Sequence, residues 1–372
     1  MKINEKRLLD LFKKLVETDS PSCDERLICD IITDEFAKLG IAVIEDDTGK
    51  KINGNAGNLY AYMDGDLSLP PLLFSAHMDT VEPSKSKKCI IEDDGKIHSD
   101  GTTVLGSDDF AGIASIIEAI KVIKESNISH RPIEFLFSVS EENYCKGISQ
   151  FDFSKLKSRE AYVFDLSGKV GTAAFAAPTI LSFHAVINGK SSHAGFAPEK
   201  GIHAIKIAAE AILKINCGKI DAETTVNIGT VVGGTATNIV PDKCTLTGEI
   251  RSYSDEQATV QYESIERIIK ETAEKSGALA DVSFIKCVTA YETELNSKTV
   301  KRFENACNTL GFEPVLERSF GGSDNNVMAL KGIKGIVAAT AMNQCHTLSE
   351  WTTIDELKNA AGIALSLMLS EE

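Results

Sequence analysis

The sequence predicts an α/β fold, with a discontinuous, mostly parallel sheet domain that has helices on both faces and an inserted ferredoxin-like α+β domain. The first observation is a set of apolar runs without a polar face, such as 72–76 and 133–139, which are typical of strands buried on both sides. Segments with helical spacing alternate with these runs. Near Thr179 the element order changes to β-α-β-β-α-β, the order of the ferredoxin-like module. We therefore expect one domain from 1–178 and 289–372, and a second from 179–288.

The individual elements follow from local patterns. Apolar residues at helical spacing predict a first helix that ends before 19–22, and a second helix over about 24–39 that Gly40 closes. The other elements predicted in the α/β part are strands at 41–44, 58–63, 72–76, 133–139, 161–164 and 333–340, and helices at 109–123, 297–310 and 354–368. In the inserted part we predict strands at 180–187, 225–231, 244–252 and 281–288, and helices at 201–215 and 255–276.

Composition narrows the possible classes of protein. The chain has 372 residues, which favours two domains, and its formal net charge of −15 argues against binding to nucleic acid, which needs a basic face. No segment approaches the roughly 20 apolar residues of a membrane span, and the amino-terminal segment resembles an amphipathic helix more than a signal peptide. The nine cysteines show no CxxC spacing, which is typical of reduced thiols. We expect a cytoplasmic protein.

A histidine follows the apolar run 72–76, and this position is informative. In open α/β sheets, ligands bind at the carboxyl ends of the strands. His77 is placed there, and its neutral imidazole suits a divalent metal. Asp79 could reach the other ring nitrogen and fix the tautomer. A single histidine after a strand is more often an ordinary surface or core residue, so this pattern needs support from elsewhere.

Support comes from potential ligands at four more strand ends or loops of the α/β part. Taken singly, each could be a solvated loop, and acids at a helix start could simply be N-cap residues. These positions are Asp108 and Asp109 at the start of a helix, Glu141 and Glu142 after the strand 133–139, Asp165 after 161–164, and His346 with Glu350 after 333–340. Two histidines and three carboxylates fit a pair of divalent ions, which one carboxylate can bridge at about 3.5–4 Å. Of two adjacent acids, one can bind metal while the other stays free as a general base.

With these residues in this order, the chain resembles the M20 family of dinuclear zinc peptidases and amidohydrolases, and within it the peptidase T-like (tripeptidase) branch. The segments that carry the resemblance occur in the family's order and include the inserted domain. They are SAHMDT (75–80), LGSDDFAG (105–112), SEEN (140–143), YVFD (162–165), SSHAGFAPEKG (191–201), TNIVPD (237–242), GEIRS (248–252), GGSDNN (321–326) and CHTLSE (345–350).

The resemblance implies a role for each matching position. It implies two Zn²⁺ ions, with Co²⁺ or Mn²⁺ as possible substitutes. The implied metal ligands are His77 and Asp165 for one ion, Glu142 and His346 for the other, and Asp108 as the bridge. Glu141 would be the base that takes a proton from the attacking water and returns it to the leaving amine, and Asp79 would orient His77. The peptide bond between Asp108 and Asp109 would be cis, with Asp109 structural.

The resemblance also gives the inserted domain a role as a lid and as the surface of a homodimer. The implied substrate contacts are His193 for the carbonyl oxygen, Arg251 for a carboxylate, Asn238, and the turn formed by Gly321, Gly322, Ser323 and Asp324. From the residues alone, His193 could be a histidine in a polar turn, and Arg251 could pair with an acid on its own strand. His98, His130, His184 and His203 match no motif and are interpreted as structural or surface residues.

The function that these residues favour is hydrolysis of the peptide bond of short peptides by a tripeptide aminopeptidase-like enzyme. An N-acyl amino acid amidohydrolase of the same family is an alternative, because the same site would cleave that amide. The alternative from another class is a non-catalytic dimeric scaffold. All the expected core positions carry residues that are competent for the chemistry, which argues against this alternative.

Overall fold

Two separate hydrophobic cores divide the chain into two units. The structure is a computed structural model that describes residues 2–371. One unit, here the α/β unit, comprises the chain up to Ala176 together with Glu292–Ser319 and the residues from Ser323 onward. The other, here the inserted unit, comprises Ala177–Tyr291 and Phe320–Gly322.

The elements are numbered along the chain. The helices are α1 (Glu5–Val16), α2 (Arg26–Lys38), α3 (Thr48–Ile52), α4 (Ser107–Ser126), α5 (Ala204–Lys214), α6 (Asp255–Lys275), α7 (Lys298–Leu310), α8 (Asp324–Leu330) and α9 (Ile354–Met368). The strands are β1 (Val43–Glu45), β2 (Leu59–Met63), β3 (Leu72–His77), β4 (Ile90–Ile91), β5 (Lys96–His98), β6 (Ile133–Ser138), β7 (Glu160–Ser167), β8 (Thr172–Ala177), β9 (Thr179–Asn188), β10 (Gly218–Lys219), β11 (Thr224–Gly233), β12 (Lys243–Ser252), β13 (Leu279–Val288), β14 (Tyr291–Glu292), β15 (Val315–Arg318), β16 (Lys334–Met342) and β17 (Trp351–Thr353).

The α/β unit is organised around a nine-stranded sheet in the order β1-β2-β6-β3-β7-β16-β8-β14, with β15 paired to β8. Its centre is parallel, because β6, β3, β7 and β16 pair in parallel along this order. At the flanks, β2 runs antiparallel to β6, and β8 runs antiparallel to β16. The predicted mostly parallel α/β sheet is confirmed.

The central strands form because their sequences can be buried on both faces. Every residue of β3 and of β6 is buried, as expected for apolar runs without a polar face. Helix α4 packs against β3, β7 and β16 and also contacts α9 and α1. A small sheet in the order β17-β5-β4 was not predicted, because its strands are only two or three residues long.

The inserted unit contains a five-stranded antiparallel sheet in the order β10-β11-β12-β9-β13. Helices α5 and α6 pack on this sheet and on each other around a core of its own. Without the two-residue strand β10, the order of the strands is that of the ferredoxin-like module, so this prediction is also confirmed.

Two general features concern the part of the chain that the structure describes. Between residues 2 and 371, no helix combines the length and the apolar character needed to cross a bilayer. All nine cysteines of the sequence lie in this part, and each is a free thiol.

Candidate metal centre and active site

The candidate ligands of the α/β unit lie at one edge of the sheet. His77 is the last residue of β3, and Glu141 and Glu142 follow the end of β6. His346 follows the end of β16, while Asp165 lies within β7, which continues three residues further than predicted. Because β3, β6, β7 and β16 are parallel, their carboxyl ends meet at this edge.

Asp108, at the start of α4, lies between the two histidines. Its Oδ1 atom is 3.1 Å from Nε2 of His77, and its Oδ2 atom is 3.3 Å from Nε2 of His346. Each imidazole has a second carboxylate near the same nitrogen: Asp165 Oδ1 is 3.7 Å from His77 Nε2, and Glu142 Oε1 is 3.0 Å from His346 Nε2. The five residues therefore form two sets, each with one imidazole, that share the Asp108 carboxylate.

The ring of His77 is oriented by its other nitrogen. Nδ1 lies 2.9 Å from the main-chain oxygen of Asp79 and 3.4 Å from the Oδ1 atom of the same residue. The main-chain N–H of His77 donates to Oδ2 of Asp109 at 3.1 Å. A proton on Nδ1 would be held by Asp79, mainly by its main-chain carbonyl, which leaves the Nε2 lone pair directed at the shared carboxylate. The peptide bond between Asp108 and Asp109 is cis.

The Asp79 carboxylate holds the main chain of the adjacent loop. It accepts hydrogen bonds from the main-chain N–H groups of Glu141 at 2.9 Å and Glu142 at 3.2 Å, and from the Ser22 hydroxyl at 2.6 Å. Asp79 is completely buried. It therefore fixes the loop that carries both glutamates, in addition to its position beside the His77 ring.

Glu141 and Glu142 point to different partners, although they are adjacent in sequence. Glu142 contacts His346, whereas a carboxylate oxygen of Glu141 lies within 4.8 Å of ligand atoms of His77 and Asp165. The thiol of Cys145 donates to Glu141 at 3.3 Å. One glutamate is thus placed beside His346 and near His77 and Asp108, while the other lies near His77 and Asp165.

Burial and mutual contacts shift the pKa values of several groups in the cluster. Burial raises the pKa of Asp165 and of Glu141 well above the usual range. Burial also opposes the charge of Asp108, but hydrogen bonds from His346 and His77 hold the pKa of Asp108 below its ordinary value. The hydrogen bond to Asp108 is in turn the largest of the contacts that raise the pKa of His346 to about 10.

This set of donors fits a pair of divalent ions. Two imidazole nitrogens and three carboxylates are ligands that zinc and similar ions accept, and the set contains no thiolate. Further acids crowd the same region, namely Asp79, Asp109, Glu141 and Asp324. Burying so many carboxylates is costly unless cations compensate for their charge.

Comparisons with known proteins agree with this geometry. A family model described as Peptidase dimerisation domain, of M20 type, matches residues 175–277, and one described as Peptidase family M28 matches residues 58–195. The crystal structure of the aminopeptidase PepT from Bacillus cereus is 40% identical, covers 98% of both chains and superposes with a TM-score of 0.90. A tripeptidase from Staphylococcus aureus is 36% identical over 99% of this chain and 98% of that chain, with a TM-score of 0.95. The uncharacterized protein YqjE of Bacillus subtilis is 40% identical over 98% of both chains.

The chain belongs to the M20 family of metallopeptidases, in its peptidase T-like branch. The predicted family and the predicted class of enzyme are confirmed. The comparisons match the chain to metal-dependent peptidases.

The inserted unit of this M20 peptidase carries the residues that the resemblance implies as substrate contacts. His193 is exposed, and its Nδ1 atom accepts from the main-chain N–H groups of Gly195 and Phe196 at 3.1 and 3.2 Å. Asn238 is also exposed, and its main-chain oxygen accepts from Ala194 at 2.9 Å.

Arg251 makes the ion pair that was the alternative interpretation of its position. Nε lies 2.8 Å from Oε1 of Glu249 on the same strand, and a second nitrogen donates to Oε2 at 3.1 Å. The remaining terminal nitrogen donates to the main-chain oxygen of Phe320 at 2.8 Å. Its guanidinium is therefore already engaged by a carboxylate in this structure.

Sequence reasoning did not predict the supporting role of several acids around the site. Glu25 is completely buried, and its Oε1 atom accepts from the main-chain N–H groups of Cys23 and Ser140 at 2.8 and 2.9 Å. Asp324 accepts from the Ser138 hydroxyl at the end of β6. Glu350 and Asp324 fall inside the segments CHTLSE and GGSDNN, which indicated them as a potential ligand and as part of a substrate contact, whereas no local pattern marks Glu25.

Proposed function

We propose that this M20 peptidase is an aminopeptidase that removes the amino-terminal residue of short peptides, tripeptides above all, with the help of two divalent ions. The observation that carries the proposal is the Asp108 carboxylate, whose two oxygens face the Nε2 atoms of two different histidines at 3.1 and 3.3 Å. A carboxylate placed in this way is suited to bridge two ions. The names of the aminopeptidase from Bacillus cereus and the tripeptidase from Staphylococcus aureus support the choice of substrate.

The proposed ligands follow the two sets described above. His77 and Asp165 would hold one ion, Glu142 and His346 the other, and Asp108 both. We propose zinc, because imidazole and carboxylate ligands suit it, with cobalt or manganese as substitutes. Ions bound there would supply Lewis acidity, which polarises the scissile carbonyl and lowers the pKa of water.

The protein's own groups would carry the protons. Glu141 would accept a proton from the attacking water and later donate it to the leaving amine, which requires a carboxylate close to the ions that does not bind them. Its carboxylate lies within 4.8 Å of ligand atoms of His77 and Asp165, which supports a place close to the proposed ions. The role of base rather than ligand is the one that the family resemblance implies. Asp79 would keep Glu141 in place through the main-chain hydrogen bond of 2.9 Å.

We further propose that the protein is a homodimer and that its inserted unit contributes to binding. The match of residues 175–277 to the Peptidase dimerisation domain supports the dimer. His193, Asn238 and Arg251 remain predicted substrate contacts. For Arg251 to hold a peptide carboxylate, its guanidinium would have to release Glu249 or Phe320. A cytoplasmic location also remains a prediction.

Rates on tripeptides with free and with acetylated amino termini, measured together with metal analysis of the purified protein, test the proposal. We expect about two zinc ions per chain and faster cleavage of free tripeptides. Faster cleavage of acetylated substrates would identify an N-acyl amino acid amidohydrolase instead. A lack of amidase activity across di- and tripeptides, even with added zinc, cobalt or manganese, would favour the non-catalytic scaffold.

The variant Glu141→Gln tests the base. Because the amide cannot accept the proton, we expect kcat to fall by about 10²–10⁴-fold while the zinc content and the melting temperature of the loaded protein stay close to wild type. Glu142→Gln is the matched control, since the same substitution one residue later should lower the zinc content as well. Unchanged turnover in Glu141→Gln would refute the assignment.

A further inference from the structure

Glu350 binds the segment that carries the shared aspartate. It is 1% exposed and lies immediately before β17. Its Oε2 atom accepts from the main-chain N–H of Gly106 at 2.8 Å, and its Oε1 atom accepts from the Ser107 hydroxyl at 2.6 Å and the main-chain N–H of Asp108 at 3.1 Å. All three donors belong to Asp108 or to the two residues before it.

This segment needs an external acceptor. The first N–H groups of a helix have no partner within the helix. At the start of α4, Gly106 has a φ of +79°, and Asp108 has a φ of −83° and a ψ of 100°, so neither residue is helical. Regular helix geometry therefore does not fix the main chain at Asp108, and the three hydrogen bonds to Glu350 hold this segment instead.

The same loop also carries His346. The loop is closed by two main-chain hydrogen bonds between Asn343 and Trp351, at 3.0 and 3.1 Å. His346 and Glu350 both lie inside it, four residues apart. One closed loop thus places the imidazole of His346 beside the Asp108 carboxylate and the carboxylate of Glu350 against the Asp108 main chain.

We infer that Glu350 is a positioning residue, which holds the Asp108 carboxylate in the orientation that faces both His77 and His346. The inference rests on the proposed function, because it assumes that Asp108 binds both ions. A carboxylate is required at this position, since each of its oxygens faces a donor. Glutamine has the same shape, but its NH₂ group would point at either the Gly106 N–H or the donors of Ser107 and Asp108. Supporting side chains of this kind typically change metal affinity by about 10–100-fold.

The chain contains a matched control in Glu134. This residue is also fully buried, and its carboxylate also accepts from two main-chain N–H groups and a hydroxyl: Lys157 at 3.1 Å, Ser158 at 2.7 Å and Tyr60 at 2.7 Å. It is the second residue of β6, at the end of the strand opposite to the site loops. Glu134→Gln therefore also places an NH₂ group against hydrogen-bond donors, but at a buried position of the α/β sheet that is away from the candidate ligands.

The experiment measures zinc affinity of the apoprotein by competition with a chromophoric chelator, the visible spectrum of the cobalt-loaded protein, and the apoprotein melting temperature. We expect both glutamine variants to lower the melting temperature, but only Glu350→Gln to weaken zinc binding by about 10–100-fold and to change the cobalt spectrum. Ser107→Ala, which removes one of the three donors, should weaken zinc binding less than Glu350→Gln does.

Equal zinc affinity in Glu350→Gln and Glu134→Gln would overturn the inference. If Glu350→Gln does not fold, Ser107→Ala decides, and an unchanged affinity and cobalt spectrum in that variant would equally overturn it. A wild-type protein that binds no zinc would instead refute the proposed function, and this inference with it.

Discussion

Replacing Gly112, in the first turns of α4, by alanine should destabilise the protein, because the close contacts at this position outweigh the helix preference of alanine. A Cβ atom at this position would lie 2.3 Å from the main-chain oxygen of Phe164 and 2.4 Å from Oδ1 of Asp109. An ordinary contact between carbon and oxygen is about 3.3 Å, so Gly112→Ala requires a displacement of about 1 Å at two places. Neither neighbour is the flexible end of a long side chain, because one is the backbone of β7 and the other is a short, completely buried carboxylate.

Two opposite effects determine how much Gly112→Ala changes the free energy of unfolding. In a helix interior, alanine is more favourable than glycine by about 1 kcal/mol. Overpacking costs about 1–3 kcal/mol, and two contacts this short place Gly112→Ala at the upper end of that range. The expected net loss is about 2 kcal/mol, which for a domain of this size lowers the melting temperature by about 4–8 °C.

Gly362 in α9 is the control for the same substitution. A Cβ atom there would meet only the terminal methyl groups of Leu310, at 3.5 and 3.9 Å, which are ordinary van der Waals distances. Gly362→Ala should therefore raise the melting temperature by about 2–4 °C, from the helix preference alone. Thermal unfolding of the apoproteins, followed by circular dichroism, measures both. If Gly112→Ala melts as high as Gly362→Ala, the close approach of α4 to β7 is refuted.

Two further predictions concern the loop behind the site and the core beneath it. Asp79→Asn disturbs the hydrogen bonds that Asp79 accepts from Glu141, Glu142 and Ser22. If two bonds to a charged group are lost at about 1.5 kcal/mol each, and this loss raises the activation free energy, kcat should fall by about 10²-fold. Ser22→Ala removes one bond and should lower kcat by no more than about tenfold, so equal effects in steady-state assays would contradict this account. Phe74→Ala, at a fully buried position that contacts three other aromatic rings, should destabilise the protein by about 3–5 kcal/mol in urea unfolding, and a loss below about 1 kcal/mol would contradict the packing of β3.

The sequence predicted the features that local patterns determine. A strand buried on both faces must be apolar throughout, so β3 and β6 were found, together with the polar residues that follow them. Parallel strands then bring residues such as His77 and Asp165 to one edge, although they are far apart in the chain. The inserted unit was predicted for a similar reason, because its helices and strands are long enough to show their periods.

Short or interrupted elements were predicted less well. The helix predicted to start at 109 begins at Ser107, and its first turn is interrupted at Asp108 and Asp109, whose backbone angles are not helical. Strand β8 has the sequence TAAFAA, and alanine carries little strand preference, so its place beside β16 depends on tertiary packing. Helix α8 is only seven residues long, and its capping box, formed by Ser323 and Asn326, is visible only once the helix is known.

The main-chain contacts of the supporting acids could not have been predicted from the periodicity of the sequence. Glu25 precedes α2 and binds Ser140 after β6, Asp79 after β3 binds Glu141, and Glu350 before β17 binds the segment at the start of α4. Each acid joins two segments that are remote in sequence, so its role depends on contacts that neither segment shows alone. The loops that carry the candidate ligands are thereby tied to one another by buried carboxylates as well as to the strands before them. Removing any one of these carboxylates leaves main-chain donors unsatisfied in a buried region, so metal binding and stability should fall together at these positions, whereas at Glu134 only stability should fall.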